Sequence, residues 1–365
     1  MARLWLWALC ALLSLRAAAP ALPVDVFVKG ESGYYCVKIP SLTVLTGGTL
    51  LALGEGRVGS CSDYAPTDIV AKRSSDGGRT WSPLTVVAGD AVRGGAATTG
   101  NAAPVQLRGG DVLLPFCVNN SAVAVTRSGD GGATWAAPAP VPAGAQAGWT
   151  WVGTGPPASL QLASGRVVVP AYHSTTPNDN GDFSSAHALL SDDGGATFAL
   201  GGGWTLGAQF ANENQAVELP DGRLWAHARG LFTQRLAATS LDGGATWAGA
   251  GAVGGLDQPL AGCEGSTVLH AGAGQLFYSG LSETSPLRFN LTISSLPAAA
   301  ANLSAGWRAR LVVDAHAAAY SSLAVLADDA RADLGLLFER SNTTRVIFEP
   351  DAISFQRVPL SELGP

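Results

Sequence analysis

Lysine is nearly absent from this chain. Three lysines (Lys29, Lys38 and Lys72) stand against nineteen arginines, and only 14% of the 365 residues are charged. The net charge is −6 and no basic cluster occurs, so a nucleic-acid partner is not expected. No long amphipathic helical period is present, which argues against a helical bundle. Beyond the N-terminus no apolar run is long enough to cross a bilayer. The histidines (His173, His187, His227, His270, His316) are scattered and lack metal-ligand spacing, as do the cysteines. Neither a metal nor an organic cofactor is expected.

What the chain has in excess is turn chemistry: 46 glycines and 21 prolines. Four copies of one pattern recur. They begin as Ser74-Ser75-Asp76-Gly77-Gly78, Ser128-Gly129-Asp130-Gly131-Gly132, Ser191-Asp192-Asp193-Gly194-Gly195 and Ser240-Leu241-Asp242-Gly243-Gly244. Each then closes on a threonine and an aromatic: Thr80-Trp81, Thr134-Trp135, Thr197-Phe198 and Thr246-Trp247. The aspartate bonds amides of its own turn, the glycines supply positive φ, and the aromatic packs between sheets. These motifs read as structure, not catalysis. A degenerate fifth copy is Ser304-Ala305-Gly306-Trp307.

A second period runs alongside. Turn-then-strand signals at Gly48, Gly110, Gly165, Gly222 and Gly274 are 62, 55, 57 and 52 residues apart, and a weaker sixth follows Asp328-Asp329. About 55 residues suits a four-stranded blade. The expected fold is all-β: a six-bladed β-propeller of four-stranded antiparallel sheets, one domain over residues 22–365.

Residues 1–21 have the form of a secretory signal peptide. Arg3 precedes the apolar run Leu4 to Leu15, and small residues offer cleavage near Ala19 or Ala21. Glycosylation sequons at Asn119, Asn290, Asn302 and Asn342 fit that route. The expected location is the secretory pathway, ending outside the cell or in the lysosome.

Single residues in a particular order carry the chemistry. Tyr34 to Pro40 reads Tyr-Tyr-Cys-Val-Lys-Ile-Pro. Glu55-Gly56-Arg57 follows, and Asp63 precedes the first repeated turn. Asn212-Glu213-Asn214, Ala228-Arg229-Gly230, Leu287-Arg288-Phe289, Ala319-Tyr320-Ser321 and Phe338-Glu339 complete the set. Together these resemble the exo-sialidases, retaining enzymes on a six-bladed propeller whose repeated turn is the Asp box. The resemblance covers Tyr34 to Glu339. It implies Tyr320 as nucleophile, Glu213 as its base and Asp63 as general acid. It also implies Lys38, Arg229 and Arg288 as carboxylate clamp, Arg57 as a further substrate contact and Glu339 as the brace of the first clamp residue. Singly, each of these residues fits a structural role; their order carries the likeness.

The substrate implied is a sialylated glycan on glycoproteins, gangliosides or oligosaccharides. Sialic acid bears a carboxylate on its anomeric carbon, which arginines grip and which would repel a carboxylate nucleophile. A tyrosine avoids that repulsion, and sialidases are the tyrosine exception among retaining glycosidases. The departure is Lys38, where the family has arginine. Lysine keeps the charge but loses the two-pronged donor. The alternatives left open are a sialic-acid-binding propeller with weakened or absent turnover, and activity on a related nonulosonic acid. Cys36 and Cys61 each lie two residues before a candidate site residue (Lys38 and Asp63). A bridge between them is expected, with free buried thiols as the alternative.

Overall fold

A computed structural model describes residues 22–176, 184–207, 210–327, 332–341 and 349–364. The expected leader, the sequon at Asn342 and the turn at Asp328-Asp329 lie outside them. The described chain is antiparallel β-structure in five sheets. The first runs Cys36–Val44, Leu50–Arg57, Thr67–Ser74, Thr85–Ala88. The second is centred on Val112–Val118 and Ala122–Ser128, the third on Val167–Ser174 and Ser184–Ser191. The fourth runs Asn214–Glu218, Leu224–Ala228, Gln234–Ser240, Ala248–Asp257.

Three sheets differ from the expected four strands. The second and third have five each, because two short strands share one edge (Thr99–Gly100 and Val105–Gln106 on Val112–Val118; Trp151–Thr154 and Leu160–Gln161 on Val167–Ser174), and the fifth has seven. The cause in the fifth is the 18-residue strand Arg308–Val325. Residues from Arg308 to Ala317 pair with Phe289–Pro297, and those from Ala317 to Val325 pair with Leu334–Ser341. The first half is largely exposed and the second almost wholly buried. At the far edge Val24–Val28 pairs with Ala352–Val358, joining the start of the described chain to its end.

Neighbouring sheets share apolar layers. Leu51, Leu53 and Ile69 pack on Leu114 and Phe116. Leu113 and Val123 meet Val167 and Leu189. Val168 and Leu190 meet Leu224, and Val217 and Trp225 meet Leu276 and Trp307. Leu42, Leu50 and Val70 meet Leu337, Ile353 and Phe355. Thus the first sheet packs against both the second and the fifth.

The repeated turns lock these interfaces. In the first copy Asp76 accepts from the amides of Arg79 and Thr80 (both 3.0 Å) and from the Thr80 hydroxyl at 2.6 Å. Ser74 donates to Asp76 at 2.8 Å and accepts from Gly78 N–H at 2.9 Å. Gly78, at φ +89°, lies flat on the next sheet: a Cβ there would fall 2.1 Å from Phe355. Gly132 and Gly195 press likewise on Leu51 and Leu113, with a Cβ 2.9 and 2.5 Å away. Trp81 meets Phe355 edge-on at 5.6 Å.

A disulfide joins Cys36 and Cys61, their Cα atoms 5.9 Å apart. Cys117 and Cys263 are buried free thiols. Among the described residues no helix is long and apolar enough to cross a membrane, and no group of three or more His, Cys, Asp or Glu is placed to hold a metal.

Candidate active site

Two strand irregularities aim the central side chains. Lys38 pairs with Glu55, but the register slips before Ser41 pairs with Leu53. One extra residue is accommodated there, and Ile39 takes φ +54°. The displaced Ile39 N–H donates to Glu339 at 2.8 Å. Tyr320 repeats the device. Ala318 pairs with Arg340 and Ser321 with Phe338, again one residue too many. Ser321 N–H donates to Glu264 at 2.8 Å. In each case a buried glutamate captures the amide beside the functional side chain.

Lys38, Arg57, Asp63, Glu213, Arg229, Arg288 and Tyr320 all line one cavity of about 240 Å³. Its size falls just below the ~300–1,000 Å³ of drug-sized pockets, which suits a single small polar ligand. Four cations (Lys38, Arg57, Arg229, Arg288) face three carboxylates (Glu55, Asp63, Glu213). Of the larger clefts, those of ≈590 and ≈450 Å³ hold one charged residue each, Arg127 and Glu218, and one of ≈480 Å³ sets a single cation, Arg166, against Asp192, Glu218 and Asp242.

The Tyr320 hydroxyl donates to Glu213 Oε1. Arg229 Nη1 bonds both Glu213 Oε2 and the Tyr320 oxygen, each at 3.2 Å. Its Nε and Nη2 both reach the Ala261 carbonyl at 3.0 Å, which fixes the guanidinium plane. Glu213 and Arg229 are neighbours because they flank paired strands, with Arg229 N–H donating to Glu213 O at 2.8 Å. The Arg288 guanidinium stands 5.9 Å from the Tyr320 ring centre. Burial, then the Glu213 charge, push the Tyr320 phenol well above its ordinary pKa, against the pull of Arg229 and Arg288. The resting phenol is therefore neutral and needs a base in contact to react as a nucleophile.

The opposite wall is a separate ion-pair chain. Arg57 is almost fully buried and binds Glu55 Oε2 through Nη2 (2.6 Å) and Nε (3.1 Å). Its Nη1 reaches Asp63 and the Cys61 carbonyl, both at 2.6 Å. Burial pushes the Asp63 carboxyl up, but Arg57 and Lys38 outweigh it and the net shift is downward. Asp63 is thus ionised at rest. Lys38 is 7% exposed. Among the described residues its ammonium has no hydrogen bond or ion pair. Burial lowers its pKa, opposed by Glu339. Glu339 lies behind the cavity wall; burial raises its pKa against the pull of Lys38, and its Oε2 has no partner.

Glu55 and Asn212 flank expected site residues in the sequence without a role of their own, and Asn101, Trp151 and Tyr172 line the cavity with no sequence signal at all. The second oxygen of Glu55 accepts from Asn101 N–H at 2.6 Å. Trp151 and Tyr172 sit on strands of the third sheet, where nothing in a lone aromatic distinguishes a lining side chain from a packed one.

Comparison with known proteins places this arrangement. The BNR repeat-like domain matches residues 48–336. A sialidase of Micromonospora viridifaciens is 30% identical over 253 residues, 60% of this chain and 37% of that protein. A sialidase of Paraclostridium sordellii is 25% identical over 239 residues, 58% of this chain and 56% of its own length. The chain thus spans only part of these relatives. Among solved structures, the NanB sialidase of Streptococcus pneumoniae superposes with a TM-score of 0.81 at 17% identity, over 94% of this chain and 71% of that one. At that identity the likeness speaks for the fold.

Proposed function

We propose that this chain, which belongs to the exo-sialidase family of BNR-repeat proteins, is an exo-α-sialidase that hydrolyses terminal sialic acid from glycoconjugates with retention. The observation that carries this reading is the Tyr320–Glu213 hydrogen bond beneath two guanidiniums in a small, charge-lined cavity. Arg229, Arg288 and Lys38 grip the substrate carboxylate, and Glu339 braces the Lys38 segment through Ile39. Glu213 takes the phenol proton as Tyr320 attacks the anomeric carbon. Asp63 protonates the departing glycosidic oxygen, then activates water to release the sugar. Substrate covering Asp63 excludes water and favours its protonated form, which the resting Arg57 pair opposes. Arg57 contacts the sugar from the same wall.

The fold proposed is a closed six-bladed propeller. The seven-stranded sheet counts as two blades that share Arg308–Val325, exposed half in one and buried half in the next. Val24–Val28 is the outer strand of the last blade. The leader places the protein in the secretory route, extracellular or lysosomal, with carbohydrate at its sequons. Sialylated glycoproteins, gangliosides and oligosaccharides are the proposed substrates, handled without a cofactor.

One observation favours a second reading. Lys38 in place of a forked donor, with Asp63 held ionised by Arg57, suits a sialic-acid-binding protein with weak turnover. Release of 4-methylumbelliferone from its α-sialoside separates the two. Steady release that Tyr320→Phe abolishes supports the enzyme. No release by folded protein that still binds sialyl glycans supports the binder.

A further inference from the structure

The strand that carries Lys38 and the loop that carries Asp63 are tied by the one disulfide among the described residues. The two strands have no need of it. Cys36 already pairs with Arg57 in the backbone ladder. The bridge reaches past the strand end to Cys61, inside the loop. Between Val58 and Ala65, Cys61 is the one buried residue, while Gly59, Ser60, Ser62, Asp63 and Tyr64 are exposed. Apart from Tyr64, whose ring stands edge-on to Trp151 at 5.9 Å, these residues are small or polar and give the loop little apolar anchorage of its own. Polar ties add to it: Arg57 Nη1 to the Cys61 carbonyl and to Asp63, and Asn120 Nδ2 to the Asp63 carbonyl at 3.2 Å. With Cys61 held, the Arg57 fork reaches two points of the loop at once.

We infer that the Cys36–Cys61 bridge is a positioning device for catalysis: it holds the Asp63 loop across the cavity so that the carboxyl faces the departing oxygen. The role rests on the assignment of Asp63 as general acid. It differs from mere stabilisation in what it acts on. A loosened loop leaves Tyr320, Glu213 and Arg229 in place and impairs the two steps Asp63 serves, of which only proton delivery to the leaving group enters kcat/KM, the quantity compared below. A sugar alcohol departs poorly without a proton. A coumarin phenol leaves as an anion and hardly needs one.

The test compares the bridged protein with Cys36→Ala/Cys61→Ala, on an α-sialyl disaccharide and on the 4-methylumbelliferyl α-sialoside. The disaccharide kcat/KM should fall about tenfold or more, the scale of a displaced catalytic group. The aryl substrate should lose less than about threefold, as an activated leaving group predicts. In an Asp63→Asn background, removing the bridge should cost nothing further on the disaccharide, because the two changes act through one group. Equal losses on both substrates, no loss on the disaccharide, or independent losses in the double background would overturn the inference. If the alanine pair does not fold, Cys36→Val/Cys61→Ala keeps the buried volume and carries the same comparison. A bridged protein that turns over neither substrate refutes the proposed function instead.

Discussion

The repeated turns and the cavity are built on opposite terms. The serine and aspartate side chains of a turn bond within a few residues: Ser128 to Asp130, Asp130 to Ala133 and Thr134. The turn carboxylate is exposed, has its acceptors used and is held well below its ordinary pKa by the Thr134 hydroxyl and amide. The bonds around Tyr320 and Lys38 span the chain: 107 residues from Tyr320 to Glu213, 300 from Ile39 to Glu339. Its supporting carboxylates, Glu264 and Glu339, are buried, pushed upward by desolvation, and each leaves one oxygen unpartnered. Buried polar atoms in a relaxed structure are almost always satisfied. The turns therefore spend their chemistry on holding sheets together. The cavity is backed by costly, partly unsatisfied carboxylates that hold the amides of Ile39 and Ser321 beside its functional side chains.

If that contrast is right, changes in the cavity alter rate without melting the fold, and changes in the turns do the reverse. The largest effect is expected from Tyr320→Phe. It removes one oxygen from an otherwise intact pocket, so kcat should fall on the order of 10³-fold or more. The melting temperature should move by no more than about 2–4 °C per kcal/mol of bond lost, with roughly one bond at stake. Measurable turnover near the parent rate would remove Tyr320 from the mechanism.

Lys38→Met comes next and sharpens the comparison, because binding and stability should move in opposite directions. Loss of the charge removes a charge-assisted contact to a carboxylate, so KM should rise roughly ten- to a hundredfold. Stability should rise at neutral pH. The folded pKa of Lys38 lies below the unfolded value of 10.5, because burial penalises the ammonium. Between those two values the unfolded chain binds more protons, so stability climbs with pH up to about 10.5. The methionine variant should melt higher at pH 7 and lose that slope. Calorimetry against pH, beside steady-state kinetics, checks both; an unchanged KM would show that Lys38 does not touch the carboxylate.

The same contrast explains what the sequence made legible. The turns are local, so Ser-x-Asp-x-Gly-x-Thr-aromatic was readable directly, and with it the sheet period. Tyr320, Glu213 and Arg229 came through their order and flanks, which a family likeness preserves. Two things did not come through. The Arg308–Val325 strand serves two neighbours because no glycine or proline interrupts it, so the expected four-stranded fifth unit became part of a seven-stranded sheet. Glu264 is equally silent: its pairing with Ser321 spans 57 residues and exists only because an irregular register frees that amide. Residues matched through space leave no spacing to read.

On the turn side, Gly78→Ala should cost stability and spare the rate. A Cβ would fall 2.1 Å from Phe355 at a backbone φ of +89°. Strain and overpacking together amount to roughly 2–4 kcal/mol. Denaturant melts should shift to a lower midpoint while kcat of the folded fraction stays at the parent value. A lowered kcat would mean that the turns communicate with the cavity.

The smallest effect lies in acid. The Asp76, Asp130, Asp193 and Asp242 carboxyls all titrate below their ordinary value of 3.8. Groups with depressed folded pKa contribute stability that is fully present above the unfolded value and lost as pH falls through the folded one. The turns should therefore hold unchanged from neutral pH to about 4 and loosen only below it. The melting-temperature gap between the parent and Asp130→Ala should stay constant down to about pH 4 and shrink below it, on top of the fall that both share from about pH 6.5 because burial disfavours protonation of His173, His187 and His227. A gap that closes well above pH 4 would show that the Asp130 carboxyl is not held below its ordinary value and that the turn does not carry this acid sensitivity.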